Sequence, residues 1–291
     1  MIEIIYVDRW KKRSNFDREG NAKIMEKILL FIPMYNCESQ IPRVLKQMDD
    51  EILEYISEIL IVNNRSVDNG EQAVIDFANQ KPSVPIKLYR NKENYGGGGS
   101  HKIAFNYAID HGYDYIIVLH GDDQGDIHDL LPYLKSGEAF KYDSFLGSRF
   151  EQESRLINYS KFRIIGNHVF NLFMTMCLGR KITDLGSGLN MYSISYLKDK
   201  FYMSFINNLT FYVYMLIYGV ASGSRFKFFP LSWREEDQIS NAKFFKQARQ
   251  IFAITINYVL NKKSIFVKDN IYSEIEYDSE EIFTNIRTRR K

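Results

Sequence analysis

Cysteine is scarce: Cys37 and Cys177 are the only two in 291 residues, which excludes a disulfide framework and gives no sign of an oxidising compartment. Charge of one sign is not in excess either. The formal net charge of +2 offers no argument for nucleic-acid binding, and no nucleic-acid partner is expected. Long apolar runs are missing. The longest, Phe211–Ala221, is about half the ~20 residues a membrane span requires. The opening "MIEIIYVDRWKKRSN" lacks an apolar core behind a basic region, which argues against a secretory signal. There is no Gly-Lys-Ser/Thr phosphate loop, no Gly-x-Ser-x-Gly nucleophile elbow and no Cys/His metal set. The expectation from these absences is a cytoplasmic protein. Aromatic residues at 15% permit peripheral contact with the inner face of a membrane.

What is present is a regular alternation. "KILLFIPMYN" carries a continuous apolar run at residues 28–32, as a strand covered on both faces would. "SQIPRVLKQMDD" follows with Ile41, Val44, Leu45 and Met48 on one helical face and Ser39 as candidate cap. "EILIVNN", "PIKLYRN" and "YDYIIVLHGDD" read as further strands, with "DNGEQAVIDFANQ" and "SHKIAFNYAIDHG" as helices between them. This order predicts an α/β fold with a mostly parallel central sheet and helices on both faces. Beyond residue 150 the pattern loosens. "KFRIIGNHVFNLFMTMCLG" and "NAKFFKQARQIFAITINYVL" read as amphipathic helices, and "FYVYMLIYGVASG" as a buried helix or strand. "RFKFFPLSW" reads as one strand, "TDLGSGLNMYS" as loop, and the acidic-then-basic end as a fraying tail. The boundaries drawn are an extension at 1–26, the main domain at 27–235, and an amphipathic helix and tail at 236–291.

Each strand ends in a polar cluster, where open α/β sheets bind ligands. "HGDDQGD" offers His120, Asp122, Asp123, Gln124 and Asp126: oxygen donors for a hard divalent cation, or an acid-rich turn. "NYGGGG" at 94–99 lets backbone approach a ligand ahead of a helix N-terminus that favours anions, or forms a pliant loop. "VNNRSVD" carries Asn63 and Asn64, whose amides can pair with a base or ribose, or build a turn. Arg149, Arg234 and Lys243 are candidate phosphate ligands.

Together the motifs resemble family-2 glycosyltransferases with the nucleotide-sugar-binding fold called GT-A, in the group of dolichyl-phosphate mannose synthase. "FIPMYNCE", "IVNNRSVDNG", "NYGGGGS", "VLHGDDQ", "FLGSRF" and "ITDLGSGLNMYS" stand in the family's order over residues 28–195. The resemblance implies an inverting hexosyltransferase using a UDP- or GDP-linked sugar and Mg²⁺ or Mn²⁺, acting in cell-envelope polysaccharide synthesis. It implies that His120, Asp122 and Gln124 hold the metal, with Pro33, Tyr35, Glu38, Asn63, Asn64, Asn94 and Gly98 binding the donor. The sequence departs from the family pattern at His120, where an aspartate is usual, and at Asn63 and Asn64, where paired aspartates are usual.

For a glycan acceptor, a hydroxyl needs a base, and Asp184 is the candidate. For a lipid-linked phosphate no base is needed, and Arg149, Arg234 and Lys243 would hold it. The missing membrane span favours the glycan. A nucleotidyltransferase would want a basic, glycine-rich loop after the first strand, which "PMYNCESQ" is not. A non-catalytic nucleotide-sugar-binding module is the alternative from another class.

Overall fold

A computed structural model describes residues 15–16, 22–23, 26–237, 244–267, 272 and 274–286. Most of the expected N-terminal extension lies outside these residues. Within it, β1 (Asn15–Phe16) and β2 (Ala22–Lys23) form a short antiparallel ladder.

The central sheet is organised around β3 (Ile28–Met34). Its side chains alternate between two cores, as strand pleating requires. Ile28, Leu30 and Ile32 enter one core and Leu29 and Phe31 the other. The first core holds Val44 and Leu45 of α1 (Ile41–Lys46), Ile52 of α2 (Asp50–Leu53), and Val74 and Ala78 of α3 (Gly70–Gln80). The second holds Ala104 and Phe105 of α4 (Gly96–Asp110), Phe211 and Ile217 of α8 (Phe211–Ala221), and Ile251 of α9 (Phe244–Leu260). The result is three layers, helix on sheet on helix.

Beside β3 lie β4 (Ile56–Asn63) and β6 (Tyr115–Leu119), both parallel to it. β5 (Ile86–Asn91) continues outward from β4, also parallel. On the other side come β9 (Leu189–Ser193), β7 (Ser144–Ser148) and β10 (Phe226–Pro230). With β12 (Ser279–Thr284) at the edge beside β5, the eight strands run β10-β7-β9-β6-β3-β4-β5-β12, and β9 and β12 are antiparallel to their neighbours. The chain leaves β3 for β4 and β5, then returns to β3's other side as β6. The switch point between β3 and β6 opens a crevice at the strand ends.

Four expectations change. "LNMYS", within the stretch read as loop, is β9 in the sheet's interior, with all five residues buried. "RFKFFPLSW" divides into β10 and β11 (Ser232–Arg234), and β11 pairs instead with β8 (Arg155–Ile157). The tail does not fray over Ser279–Thr284, which is β12, the edge strand beside β5. Gln40 rather than Ser39 is the N-cap of α1, without a side-chain bond, and a proline stands in the first turn.

The remaining helices are α5 (Leu131–Lys135), α6 (Lys161–Leu178) and α7 (Ile194–Leu197). Lys102 of α4 is fully buried, and its Nζ donates to Phe205 O, Asn207 Oδ1 and the Tyr277 hydroxyl. One ammonium thus ties the helix, the loop before α8 and the C-terminal segment together. Desolvation pulls its pKa down to about 7.

Candidate active site

A cleft of about 490 Å³ occupies the switch point. One wall is the end of β3 (Pro33, Met34, Tyr35 and Cys37) and the turn after β6 (His120, Gly121, Asp122). Asn64, Asn94, Gly96 and Gly97 also line the cleft, as do Asn208, Leu209, Thr210, Tyr212, Gln247 and Gln250. Among the described residues, Asp122 is the one carboxylate lining it.

The strand-end turn is fixed by ion pairs. Asp123, in the left-handed region at φ 60°, is buried and pairs with Arg43 Nε at 2.7 Å and Arg234 at 3.3 Å. Arg234 Nε also donates to Asp123 O, and Arg43 reaches on to Asp237 at 2.7 Å. Arg234 therefore clamps the aspartate turn rather than waiting for a phosphate. Lys243, its proposed companion, lies outside the described residues.

Behind the cleft, a hydrogen-bonded chain fixes two imidazoles. His101 Nδ1 lies 2.7 Å from Gly97 O, which can only accept, so Nδ1 carries the hydrogen. Burial pulls the His101 pKa down to about 3, the Gly97 carbonyl opposing and His120 assisting, so the ring is neutral and Nε2 accepts. The Tyr212 hydroxyl, 2.7 Å away, donates to that Nε2. Its oxygen then accepts from His120 Nε2–H at 2.5 Å. His120 is consequently the Nε2–H tautomer, and burial holds it below the usual imidazole range against the pull of Asp122. Desolvation raises the Asp122 carboxyl, with His120 opposing.

This geometry tests the expected metal ligands. His120 Nε2 is committed to Tyr212, which leaves Nδ1 as its donor atom. Asp122 lines the cleft; Gln124 does not, and its backbone carbonyl accepts from Arg234 N instead. Among the described residues no three His, Cys, Asp or Glu side chains assemble a protein-only metal site. A single carboxylate suits a Mg²⁺-type cation whose other oxygens come from a bound diphosphate and water.

Several expected donor contacts have other duties. Asn63 points into its own loop, with Nδ2 donating to Glu71 at 2.6 Å and Oδ1 accepting from Ser66 N. Asn64 lines the cleft, yet its Oδ1 accepts from Tyr95 N and Asn91 Nδ2 while Nδ2 donates to Asn94 Oδ1. Glu38 stitches two loops, accepting from Asn69 N at 3.0 Å. Gly98 packs against the chain before α8, where an added Cβ would meet Ile206 O at 2.7 Å. Gly96 and Gly97 are the glycines on the cleft. Tyr35 lines the cleft and is 42% exposed.

Asp184 and Arg149, expected in alternative roles, form one unit. Asp184 is buried. Its Oδ2 accepts from Arg149 N and Nε, and its Oδ1 from Arg149 Nη2 and Gly186 N. Desolvation raises its pKa, but the Arg149 charge and these hydrogen bonds outweigh it, and the carboxyl sits below the usual range. An acid with both oxygens saturated is not placed to take a proton, and the guanidinium that saturates it is not free for a phosphate.

Reading the sequence missed His101, Tyr212, Gln247 and Gln250. The one local signal was His101, two residues after the glycine run. Tyr212→Phe is expected to leave His101 Nε2 and His120 Nε2–H unsatisfied, lowering stability by about 1–3 kcal/mol. A urea midpoint that drops with unchanged slope would show it, and an unchanged midpoint would count against the chain of bonds.

A mostly parallel sheet with a polar crevice at its switch point and a glycine-led helix beside it is the GT-A architecture. Residues 30–201 match the model for glycosyl transferase family 2, and the chain belongs to that family. It is 26% identical over 166 residues to an undecaprenyl-phosphate mannosyltransferase of Micrococcus luteus, covering 57% of this chain and 66% of that protein. It is 28% identical over 170 residues to an undecaprenyl-phosphate 4-deoxy-4-formamido-L-arabinose transferase of Proteus mirabilis, covering 58% and 49%. The fold is similar to glucosyl-3-phosphoglycerate synthase of Mycobacterium tuberculosis, solved with Mn²⁺, UDP and glucosyl-3-phosphoglycerate, at TM-score 0.57 and 15% identity over 80% of each chain. No helix among the described residues is long and apolar enough to cross a membrane.

Proposed function

We propose that this chain transfers a sugar from a nucleoside diphosphate to the phosphate of a polyprenyl-type lipid. The observation that carries this is the single carboxylate of the cleft. A hydroxyl acceptor would need a base beside a metal-holding carboxylate. With Asp122 on the cation and Asp184 locked on Arg149, no second carboxylate lines the cleft among the described residues. Both ring nitrogens of His101 are engaged, by Gly97 O and the Tyr212 hydroxyl, and His120 Nε2 is bonded to Tyr212, which leaves only the Nδ1 assigned to the cation. A phosphate brings its own anionic oxygen. The names of two relatives support the same acceptor class, which replaces the glycan as the favoured one.

In this reading Tyr35 and Pro33 receive the nucleoside, and the N-terminus of α4 at Gly96 and Gly97 faces the diphosphate, where helix dipoles favour anions. Asp122, with His120 Nδ1 as the second available donor atom, would hold Mg²⁺ or Mn²⁺, which would offset charge building on the leaving diphosphate. The acceptor oxygen attacks the anomeric carbon as the bond to the diphosphate breaks, inverting that centre, with no proton to move. Asn208, Thr210, Gln247 and Gln250 bring neutral polar groups, and among the described residues no further carboxylate, to the incoming phosphate.

The test is a transfer assay with labelled UDP- and GDP-sugars against a short prenyl phosphate and against oligosaccharides. The expected product is an acid-labile sugar phosphodiester on the lipid. Transfer to oligosaccharide hydroxyls alone would overturn the assignment.

A further inference from the structure

The helix α6 turns an apolar face outward. Phe162, Ile165, Val169, Leu172 and Met176 recur at three- and four-residue spacing, and each is 60–69% exposed. Such a stripe normally faces a core. Here only Asn171 and Met174 of the helix are buried. The face continues onto α9. Phe173 stacks on Phe252 at 5.0 Å, Thr255 Oγ1 contacts Met174 S, and Phe252, Val259 and Leu260 are exposed in turn. A patch of large side chains spread over two packed helices marks an interaction surface.

Charge decides between occupants. Residues 161–183 and 244–267 contain eight Lys and Arg and no Asp or Glu, which leaves 30 of the chain's 38 basic residues against all 36 acidic ones elsewhere. Lys161, Arg180 and Lys181 border the stripe at its two ends and are exposed. Arg163 alone on the stripe's helix is paired, with Glu235. A second copy docked by the same face would set these cations against their own counterparts with no carboxylate on either helix to pair them. An anionic lipid surface meets both halves of the pattern: acyl chains take the apolar side chains and headgroups take the cations.

We propose that the α6–α9 face is a docking surface for an anionic bilayer, on which the protein lies without spanning it. The face does not depend on which acceptor is used. α9 also lends Gln247 and Gln250 to the cleft wall, so the docked helix borders the site.

The experiment is co-sedimentation of the full chain with vesicles of phosphatidylcholine alone or mixed with phosphatidylglycerol, with no donor or acceptor present. Binding is expected to the mixed vesicles, weakening as salt is raised. Val169→Glu/Leu172→Glu should abolish it. Lys161→Ala/Lys181→Ala should weaken it on the order of 30-fold, since each cation near such a surface is worth about fivefold. All four positions are exposed, so circular-dichroism melting should be unchanged. The proposal falls if the wild type stays in the supernatant, or if binding ignores both double variants. It falls equally if light scattering shows a dimer that Val169→Glu/Leu172→Glu dissolves while vesicles capture nothing. Because no transfer is measured, failure here is separate from failure of the acceptor assignment.

Discussion

Asp122→Ala is expected to lower sugar transfer by at least 10²–10³-fold while leaving the fold intact. The loss is that of an electrostatic group aimed at charge developing on the leaving diphosphate. The fold should survive because desolvation already disfavours the Asp122 charge, and its removal opens no apolar cavity. The neighbouring Asp123 carries the structural load through Arg43 and Arg234. Turnover at saturating donor with Mg²⁺ or Mn²⁺, beside a melting curve, separates the two effects. Near-normal turnover would remove Asp122 from the centre of the mechanism.

Asp184→Asn is expected to act on stability first. The substitution leaves the buried Arg149 charge without its counterion, and breaking such a pair costs about 3–5 kcal/mol. For a chain of this size that is a fall of roughly 6–20 °C in melting temperature. The pH dependence follows from the direction of the shift. A carboxyl held below its unfolded value stabilises the fold above that value, near 4, and the contribution is lost as pH falls through the lower folded one. The variant should lack this acid-side loss. At a temperature where it is folded, transfer to a lipid phosphate should persist. A turnover loss of about 10²–10⁴ with unchanged melting would instead mean that Asp184 is a general base and the acceptor a hydroxyl.

Strands whose apolar runs are continuous were legible before any coordinates, because burial on both faces needs no partner to be recognised. β3, β4 and β6 are of this kind. β9 was not legible. "LNMYS" alternates polar and apolar like a surface segment, yet Asn190 is buried with its amide donating to Ser187 O. Its burial depends on β6 and β7 flanking it, and nothing local records that. α6 was read correctly as a helix, but a stripe of Phe162, Ile165 and Val169 says only that a face is apolar. Which way it points is a tertiary fact. His120 and Asp122, which line the cleft, were legible as candidates because they follow a strand directly. Tyr212 joins His120 and His101 across 92 and 111 residues, a juxtaposition that no motif encodes. Arg149 and Asp184 were each noticed, but not as partners. Every arginine beside a cleft resembles a phosphate ligand until its carboxylate is seen.

The strand β12 sets a timetable for synthesis. Ile86 N–H bonds to Asn285 Oδ1, 199 residues further along, and Asn285 Nδ2 returns a bond to Val84 O. At about 5–20 residues per second on the ribosome, β5 therefore waits roughly 10–40 s for its outer neighbour. During that interval it is a bare sheet edge, open to pairing with other nascent chains. Arg90 lies on that edge, and a charge of this kind discourages such pairing. In the finished molecule, Arg90 pairs with Glu71 and with Glu280 of the arriving strand. The same guanidinium that guards the open edge thus becomes part of its closure.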